Sequence, residues 1–258
     1  ENSYWVKMGE LIKVDGGVEN IRFSENSDVV AFGGFWNTQK DENGQTSGLG
    51  SVLIYEWSNN QWNLKGDVIK GGIDRRGFAV SFDIDSTGNL VAISNRDFDD
   101  ENFGLTGKVE FYNFNSQNSS WELMNDDRKS IVYNKNPDNI NPYFGSTVNI
   151  NDDATVISVS TLTYPYYVDT DFYGTDELFN EGFLISNFKW DDETKSWTLL
   201  NEIYSNSTAP SNNFASPTNT SLSGNGRYLS LAGGYNINDP YLSGKVRVFS
   251  INNSPPIA

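Results

Sequence analysis

One polar stretch of the chain, residues 164–177, combines aromatic rings with carboxylates at short spacing. Its rings belong to Tyr164, Tyr166, Tyr167, Phe172 and Tyr173, and its acids are Asp169, Asp171, Asp176 and Glu177. Such rings stack on sugars or anchor protein interfaces, and the carboxylates beside them bind cations or hydroxyl groups. We therefore predict a ligand-binding loop whose contact residues are Tyr164, Tyr166, Tyr167, Asp169, Asp171, Phe172 and Tyr173. A loop that packs these rings against its own scaffold would have the same composition.

A second acidic group consists of Asp97, Asp99, Asp100 and Glu101. Closely spaced oxygen ligands suit a hard cation such as Ca²⁺, so these four residues are a candidate metal site. Further acids that the chain places in similar polar segments are Asp41, Glu42 and Asp239. A solvated acidic rim without a bound metal would give the same pattern.

The segment Asp83–Asn89, which reads D-I-D-S-T-G-N, has two interpretations. Its alternating acids resemble part of a calcium-binding loop. Its Asp, Gly and Asn residues are also typical of an ordinary hairpin turn. The comparable segments elsewhere in the chain share no carboxylate pattern, which favours the turn.

The chain contains neither histidine nor cysteine. It therefore lacks the commonest general base and transition-metal ligand, and it has no thiol nucleophile or disulfide. A serine hydrolase triad or a zinc hydrolase site of the usual kind cannot be built. An enzyme that acts on glycans through paired carboxylates, such as Asp97 and Asp171, remains an alternative. We expect a protein that is not an enzyme and that requires no cofactor, with Ca²⁺ as the candidate ion.

The formal net charge is −16, with a sequence pI near 4.3. A chain this acidic repels phosphate backbones, so we expect no nucleic-acid partner. No apolar run approaches the length of a membrane span, so we expect no membrane insertion. The chain begins at Glu1 and ends in S-P-P-I-A, which favours an extracellular or cell-surface segment of a longer parent protein with further domains.

Four units of similar sequence begin at Trp5, Trp62, Trp121 and Trp197. Between these tryptophans the chain repeats three strand-like runs, which we call a, b and c, and the tryptophan opens a fourth, d. In the second unit these runs are Gly77–Ile84, Leu90–Ser94 and Gly107–Phe114, and d starts at Trp121. β-Branched and aromatic residues bounded by Gly, Asn, Asp and Ser predict short antiparallel strands.

The order of the runs predicts an all-β, four-bladed β-propeller. The chain starts with an unpaired d run and ends after a c run, so the N-terminal strand can complete the last blade. A fragment of a longer array would also start and stop in this way. We place one domain at residues 1–253 and a linker at 254–258. The predicted blades cover residues 18–69, 77–126, 143–203 and 216–251, with residues 4–12 added to the last.

The repeat resembles the bacterial form of the FG-GAP repeat of integrin-α-like propellers. The residues that carry this resemblance are F-G-S-T-V-N-I-N-D-D-A-T-V-I-S-V at Phe144–Val159. Weaker copies lie at Gly77–Ser94 and in the openings at Trp5 and Trp62. The resemblance implies a propeller blade in each unit, and it implies adhesion or ligand binding, with calcium in many members.

The connections between the predicted strands differ in length. The a–b and most c–d connections are short, whereas the b–c and d–a connections are long, and in an antiparallel blade these two groups lie at opposite ends. We therefore expect a non-catalytic binding or adhesion module that recognises a glycan or protein ligand with the long loops. The basic pair Arg75–Arg76 and residues 129–143 lie in the d–a loops. A purely structural spacer domain is the other alternative.

Overall fold

The computed structural model describes residues 4–14, 17–34, 50–71, 77–100, 104–124, 128, 130–132, 143–163, 182–206, 217–233 and 245–251. The elements assigned within these ranges are β-strands, as the repeated apolar runs predict. They form four larger antiparallel sheets, which are the four blades of a β-propeller, and one two-stranded sheet. The predicted fold class is therefore confirmed.

The strands of the first two blades follow the order of the repeat. The first blade contains β1 (Asn20–Phe23), β2 (Val29–Gly34), β3 (Ser51–Ser58) and β4 (Gln61–Leu64), with β5 (Ile69–Lys70) also paired to β3. The second contains β6 (Phe78–Ile84), β7 (Leu90–Asn95), β10 (Lys108–Asn115) and β11 (Ser120–Leu123), with β12 (Ser130–Ile131) paired to β10. A separate two-stranded sheet, β8 (Asp99–Asp100) and β9 (Gly104–Leu105), lies in the b–c connection.

The third and fourth blades repeat the same arrangement. The third contains β13 (Phe144–Ile150), β14 (Val156–Thr163), β15 (Gly182–Asp191) and β16 (Ser196–Asn206). The described strands of the fourth are β17 (Pro217–Leu222), β18 (Tyr228–Gly233) and β19 (Lys245–Ser250). In each blade, neighbouring strands in the chain pair as antiparallel neighbours, so side chains of alternate residues face opposite neighbouring blades.

Apolar side chains pack between consecutive blades. Val29, Ile54 and Phe82 belong to the core between the first and second blades. Phe111 and Phe144 lie in the core between the second and third, and Ile185 and Leu229 lie in the core between the third and fourth. Because each strand face is covered by the next blade, strands such as β2 and β7 are buried along their whole length.

The N-terminal segment differs from the prediction in one respect. The described residues 4–14 form no strand, and the described part of the fourth sheet has three strands rather than four. The chain bends at Gly9, whose φ is 68°, and Gly9 packs beside the rings of Trp57 and Trp62 in the first blade. The segment is therefore held by the first blade, and Trp5 is fully exposed to solvent.

Candidate binding site at the loop end of the blades

The strand bounds place the long connections at one end of the blades. The a–b connections are residues 24–28, 85–89, 151–155 and 223–227, and the described c–d connections are 59–60, 116–119 and 192–195. The b–c connections at the opposite end are residues 35–50, 96–107, 164–181 and 234–244. The d–a connections leave from this same end. We call it the loop end, and we call the other the turn end.

At the turn end, one side-chain oxygen closes each a–b turn. Ser24 Oγ, Asp85 Oδ1, Asn151 Oδ1 and Ser223 Oγ each accept a hydrogen bond from the first backbone N–H of the following strand. Asp85 Oδ1 also accepts from the N–H of Asn89, and Thr87 donates to Asp85 Oδ2 at 2.6 Å. The carboxylate of Asp85 thus serves the turn in the way that a serine hydroxyl does in the first and fourth blades. This agrees with the turn interpretation of Asp83–Asn89.

Backbone hydrogen bonds also join the turns of successive blades. The N–H of Glu25 donates to the carbonyl of Ser86, the N–H of Ser86 to Asp152, and the N–H of Asp152 to Gly224, at 2.9 to 3.1 Å. These bonds tie the backbone of each a–b turn to that of the next blade. This leaves the loop end as the better place for a ligand.

Asp83 lies between three blades, near the inner strands. Its Oδ1 is 3.5 Å from Nε of Arg22 in the first blade, and its Oδ2 accepts a hydrogen bond of 3.0 Å from the N–H of Ile150 in the third. Burial raises the pKa of Asp83 to about 6, against the opposing effect of the Ile150 N–H and Arg22. The residue joins blades rather than facing the predicted ligand loops.

Asp97 is the member of the candidate metal site whose side chain the structure describes. Its Oδ1 lies 3.3 Å from Nε of Arg96, and the Arg96 guanidinium lies over the ring of Tyr143, 5.0 Å from its centroid. Gly77, with a φ of 77°, brings the d–a connection directly against Asp97. The carboxylate is therefore already paired with a cation of the protein.

A buried ion pair lies at the start of β10. Lys108 Nζ is 2.8 Å from Glu110 Oε1, and it also lies 4.0 Å from the centroid of the Phe98 ring. Asn95 and the hydroxyl of Thr106 are fully buried at this end of the second blade, and their side-chain polar atoms have no hydrogen-bond partner among the described residues. Buried polar groups of this kind are usually satisfied by ordered water or a ligand. The loop end of the second blade is therefore polar in its interior.

The other predicted site residues fall largely outside the described ranges. Asp99 and Asp100 lie in β8, whose backbone pairs with β9, and Glu101 follows it beyond the described residues. The predicted ligand-contact residues Tyr164, Tyr166, Tyr167, Asp169, Asp171, Phe172 and Tyr173 also lie outside, as do Asp41, Glu42, Asp239, Arg75 and Arg76. In the part of the chain that the structure describes, no three acidic side chains come together as metal ligands.

Sequence reasoning did not identify Lys108 and Glu110. Their alternation in K-V-E-F-Y reads as the exposed face of a half-buried strand. Both are instead largely buried, because β10 is paired with a strand on each side and the Phe98 ring of the b–c connection lies over Lys108. The signal that could have identified them is the presence of two opposite charges two residues apart in the middle strand of a buried sheet.

No protein-family model and no curated protein matches this chain. Among solved structures, it is similar to the acylaminoacyl peptidase of Pyrococcus horikoshii, at 11% identity and a TM-score of 0.49, over 91% of this chain and 31% of that one. TolB from Acinetobacter baumannii has 11% identity and a TM-score of 0.42, over 92% and 41% of the two chains. The β-propeller domain of the Trilobed protease from Pyrococcus furiosus has 11% identity and a TM-score of 0.44, over 91% and 54%.

The chain spans less than two thirds of the length of each of these proteins. Within the described residues there is no helix long and apolar enough to cross a membrane.

Proposed function

We propose that this propeller is a non-catalytic binding module of a secreted or cell-surface protein, and that it recognises a glycan or protein with its loop end. The observation that carries the proposal is the placement of the long connections at one end of a rigid β scaffold. The turn end, in contrast, is closed by its own hydrogen bonds. A binding module of the FG-GAP type would use its blades in this way.

The b–c connection of the third blade is the proposed contact loop. It leaves β14 after Thr163 and returns to β15 at Gly182. It is the longest of the four b–c connections, and its sequence contains five aromatic residues and four acids between Tyr164 and Glu177. Aromatic rings give a flat platform for a sugar ring, and carboxylates accept hydrogen bonds from its hydroxyl groups.

The proposal extends to a divalent cation bound at the loop end. Asp99, Asp100 and Glu101 lie in the b–c connection of the second blade, at the same end. Their oxygen atoms are the ligands that Ca²⁺ prefers. Asp97 is paired with Arg96, so a cation would take its ligands from the other three residues.

The test measures binding of the purified chain to an array of immobilised glycans, with and without Ca²⁺. A variant in which Tyr164–Glu177 is replaced by Gly-Asn-Gly should keep the circular dichroism spectrum and lose binding. Shortening residues 235–243 of the fourth blade in the same way is the matched control and should leave binding unchanged. Equal affinity of the parent and the Tyr164–Glu177 variant would contradict the proposed site, and release of free sugar would favour the glycan-active enzyme.

A further inference from the structure

The N-terminal segment lies against the first blade in the way that the outer strand of the first blade lies against the second. A β-carbon placed on Gly66, which follows β4, would lie 2.9 Å from Cδ1 of Trp121 in the second blade. A β-carbon placed on Gly9 would lie 2.9 Å from Cζ3 of Trp57 and 3.5 Å from Cδ1 of Trp62. Gly9 has a φ of 68° and Gly66 a φ of 77°, and each follows a tryptophan by four residues. Residues 5–9 thus stand before the first blade as residues 62–66 stand before the second.

The four blades share a second marker, at the end of each c strand. In each blade, one N–H near this end donates a hydrogen bond of 2.7 to 2.9 Å to the carbonyl of the last residue of the a–b turn. The donors are Trp57, Phe114, Trp190 and Ile251. In the first three blades this residue is paired across the c–d hairpin with a tryptophan: Trp57 with Trp62, Phe114 with Trp121, and Trp190 with Trp197. Ile251 is therefore the position that a fourth tryptophan would face.

A cavity of about 500 Å³ lies at this place between the third and fourth blades. Val156, Lys189 and Leu200 line it from the third blade, and Tyr228 and Ile251 line it from the fourth. At the preceding boundaries the corresponding space is filled, since Trp121 is buried in the first core and Trp197 stacks on Phe111 with 5.1 Å between ring centroids. The cavity therefore lies at the position where the outer-strand tryptophan of a fourth blade would pack.

Both halves of this missing contact are exposed within a single chain. Trp5 and Leu11 of the N-terminal segment are exposed by 103% and 76%, and Val246 and Val248 of β19 by 71% and 68%. The face of β1 that points away from the second blade is also apolar and exposed, through Ile21 and Phe23. The first blade therefore offers a tryptophan-bearing segment, and the fourth blade offers a cavity and, within the described residues, a sheet in which β19 pairs with β18 alone.

We propose that residues 4–12 of one copy dock on the fourth blade of a second copy. The segment adds the fourth strand beside β19, and Trp5 enters the cavity between Leu200 and Ile251. A second copy supplies the segment while Gly9 stays against Trp57 and Trp62 of its own first blade. The contact is head-to-tail, joining two different surfaces, and the exposed strand edge and apolar faces are covered together.

The test is sedimentation velocity over a wide range of protein concentrations. The parent should associate, and Trp5→Ala should raise the dissociation constant at least about tenfold, since a tryptophan in a closed pocket is a typical binding hot spot. Trp5 is fully exposed in the single chain, so this substitution leaves the monomer folded. Tyr4→Ala, next to it and also exposed, is the matched control and should keep the parent's association.

A second variant blocks the receiving side. Leu200→Arg places a charge in the cavity wall, and Leu199→Arg, on the same strand but exposed, is its control. In a mixture of the two variants, the intact N-terminal segment of Leu200→Arg can dock on the intact cavity of Trp5→Ala. The mixture should therefore associate, although neither variant does so alone. A parent that stays monomeric overturns the proposal, including one in which the emission lost on Trp5→Ala is that of a buried indole within the single chain. So does association that survives Trp5→Ala.

Discussion

The indole nitrogen of Trp121 donates a hydrogen bond of 2.7 Å to the backbone carbonyl of Lys65, which belongs to the preceding blade. The ring is also buried in the core between the two blades. Trp121→Ala should therefore lower the free energy of unfolding by about 3–5 kcal/mol. Trp121→Phe keeps an aromatic ring but leaves the carbonyl without its donor, so a loss of about 1–3 kcal/mol is expected. Urea unfolding followed by circular dichroism measures both.

Leu123, two residues later on the same strand, is the control for this prediction, since its side chain is exposed. Leu123→Ala should change the free energy of unfolding by less than about 0.5 kcal/mol. Equal losses for Trp121→Ala and Leu123→Ala would show that the tryptophan is not a packing residue.

The raised pKa of Asp83 predicts a pH dependence of stability. In the unfolded chain the pKa of Asp83 has the ordinary aspartate value of about 4, and in the folded protein it is about 6. Between these values the folded state binds the proton more tightly. The contribution of Asp83 to the free energy of unfolding should thus fall as the pH rises from about 4 to about 6, by at most about 3 kcal/mol.

Asp83→Asn removes this titration and should flatten the curve of unfolding free energy between pH 4 and 6, measured by urea unfolding at several pH values. Glu25→Gln, at an exposed position of the first a–b turn, is the charge-matched control and should keep the slope. An unchanged slope in Asp83→Asn would assign the pH dependence to other groups.

Asp191 affects stability at lower pH, because the N–H groups of Glu193 and Thr194 lower its pKa. Its stabilising contribution is lost only as the pH falls below the ordinary aspartate pKa.

The oxygen that closes the second a–b turn should be replaceable without its charge. Asp85 accepts from the N–H groups of Asn89 and Leu90, both at 2.9 Å. Asp85→Asn keeps an oxygen at this position, as Asn151 does in the third blade, and should be close to neutral. Asp85→Ala leaves both donors without a partner and should cost about 1–3 kcal/mol. Thermal unfolding of the two variants compares them, and a large loss in Asp85→Asn would instead point to a role for the charge.

The buried pair at the loop end should be sensitive to the loss of one partner. Lys108→Met leaves the Glu110 carboxylate, which is 2% exposed, without its ammonium partner at 2.8 Å. We expect a loss of about 3–5 kcal/mol. The double variant Lys108→Met, Glu110→Gln removes both charges and should recover part of this loss, which a double-mutant cycle measures. Additive losses would mean that the two side chains are not coupled.

The blades could be predicted from the sequence because strand formation is read from local alternation and turn residues. The predicted runs Leu90–Ser94 and Gly107–Phe114 begin and end within one residue of β7 and β10. The turn at Asp85 could also be predicted, since a side-chain acceptor followed by Gly and Asn acts within its own segment.

The contacts between blades could not be predicted in this way. The hydrogen bond from Ile150 to Asp83 joins residues far apart in the chain, and no local pattern encodes it. The N-terminal segment has the composition of an outer strand, but Gly9 and the packing against Trp62 decide where it lies. The loop end depends on connections whose sequence carries no strand signal, so composition alone suggested its ligand residues.

Within the described residues, thirteen buried side chains form the first core, twelve form the second and four form the third. Because each blade is held mainly by its neighbours, cohesion among the described residues decreases from the first core to the third, as in a row of stacked units. Amide hydrogen exchange should therefore be fastest in the backbone of β17, β18 and β19 and slowest in β7 and β10. Under a mechanical load the fourth blade would peel away first, and the first two would separate last.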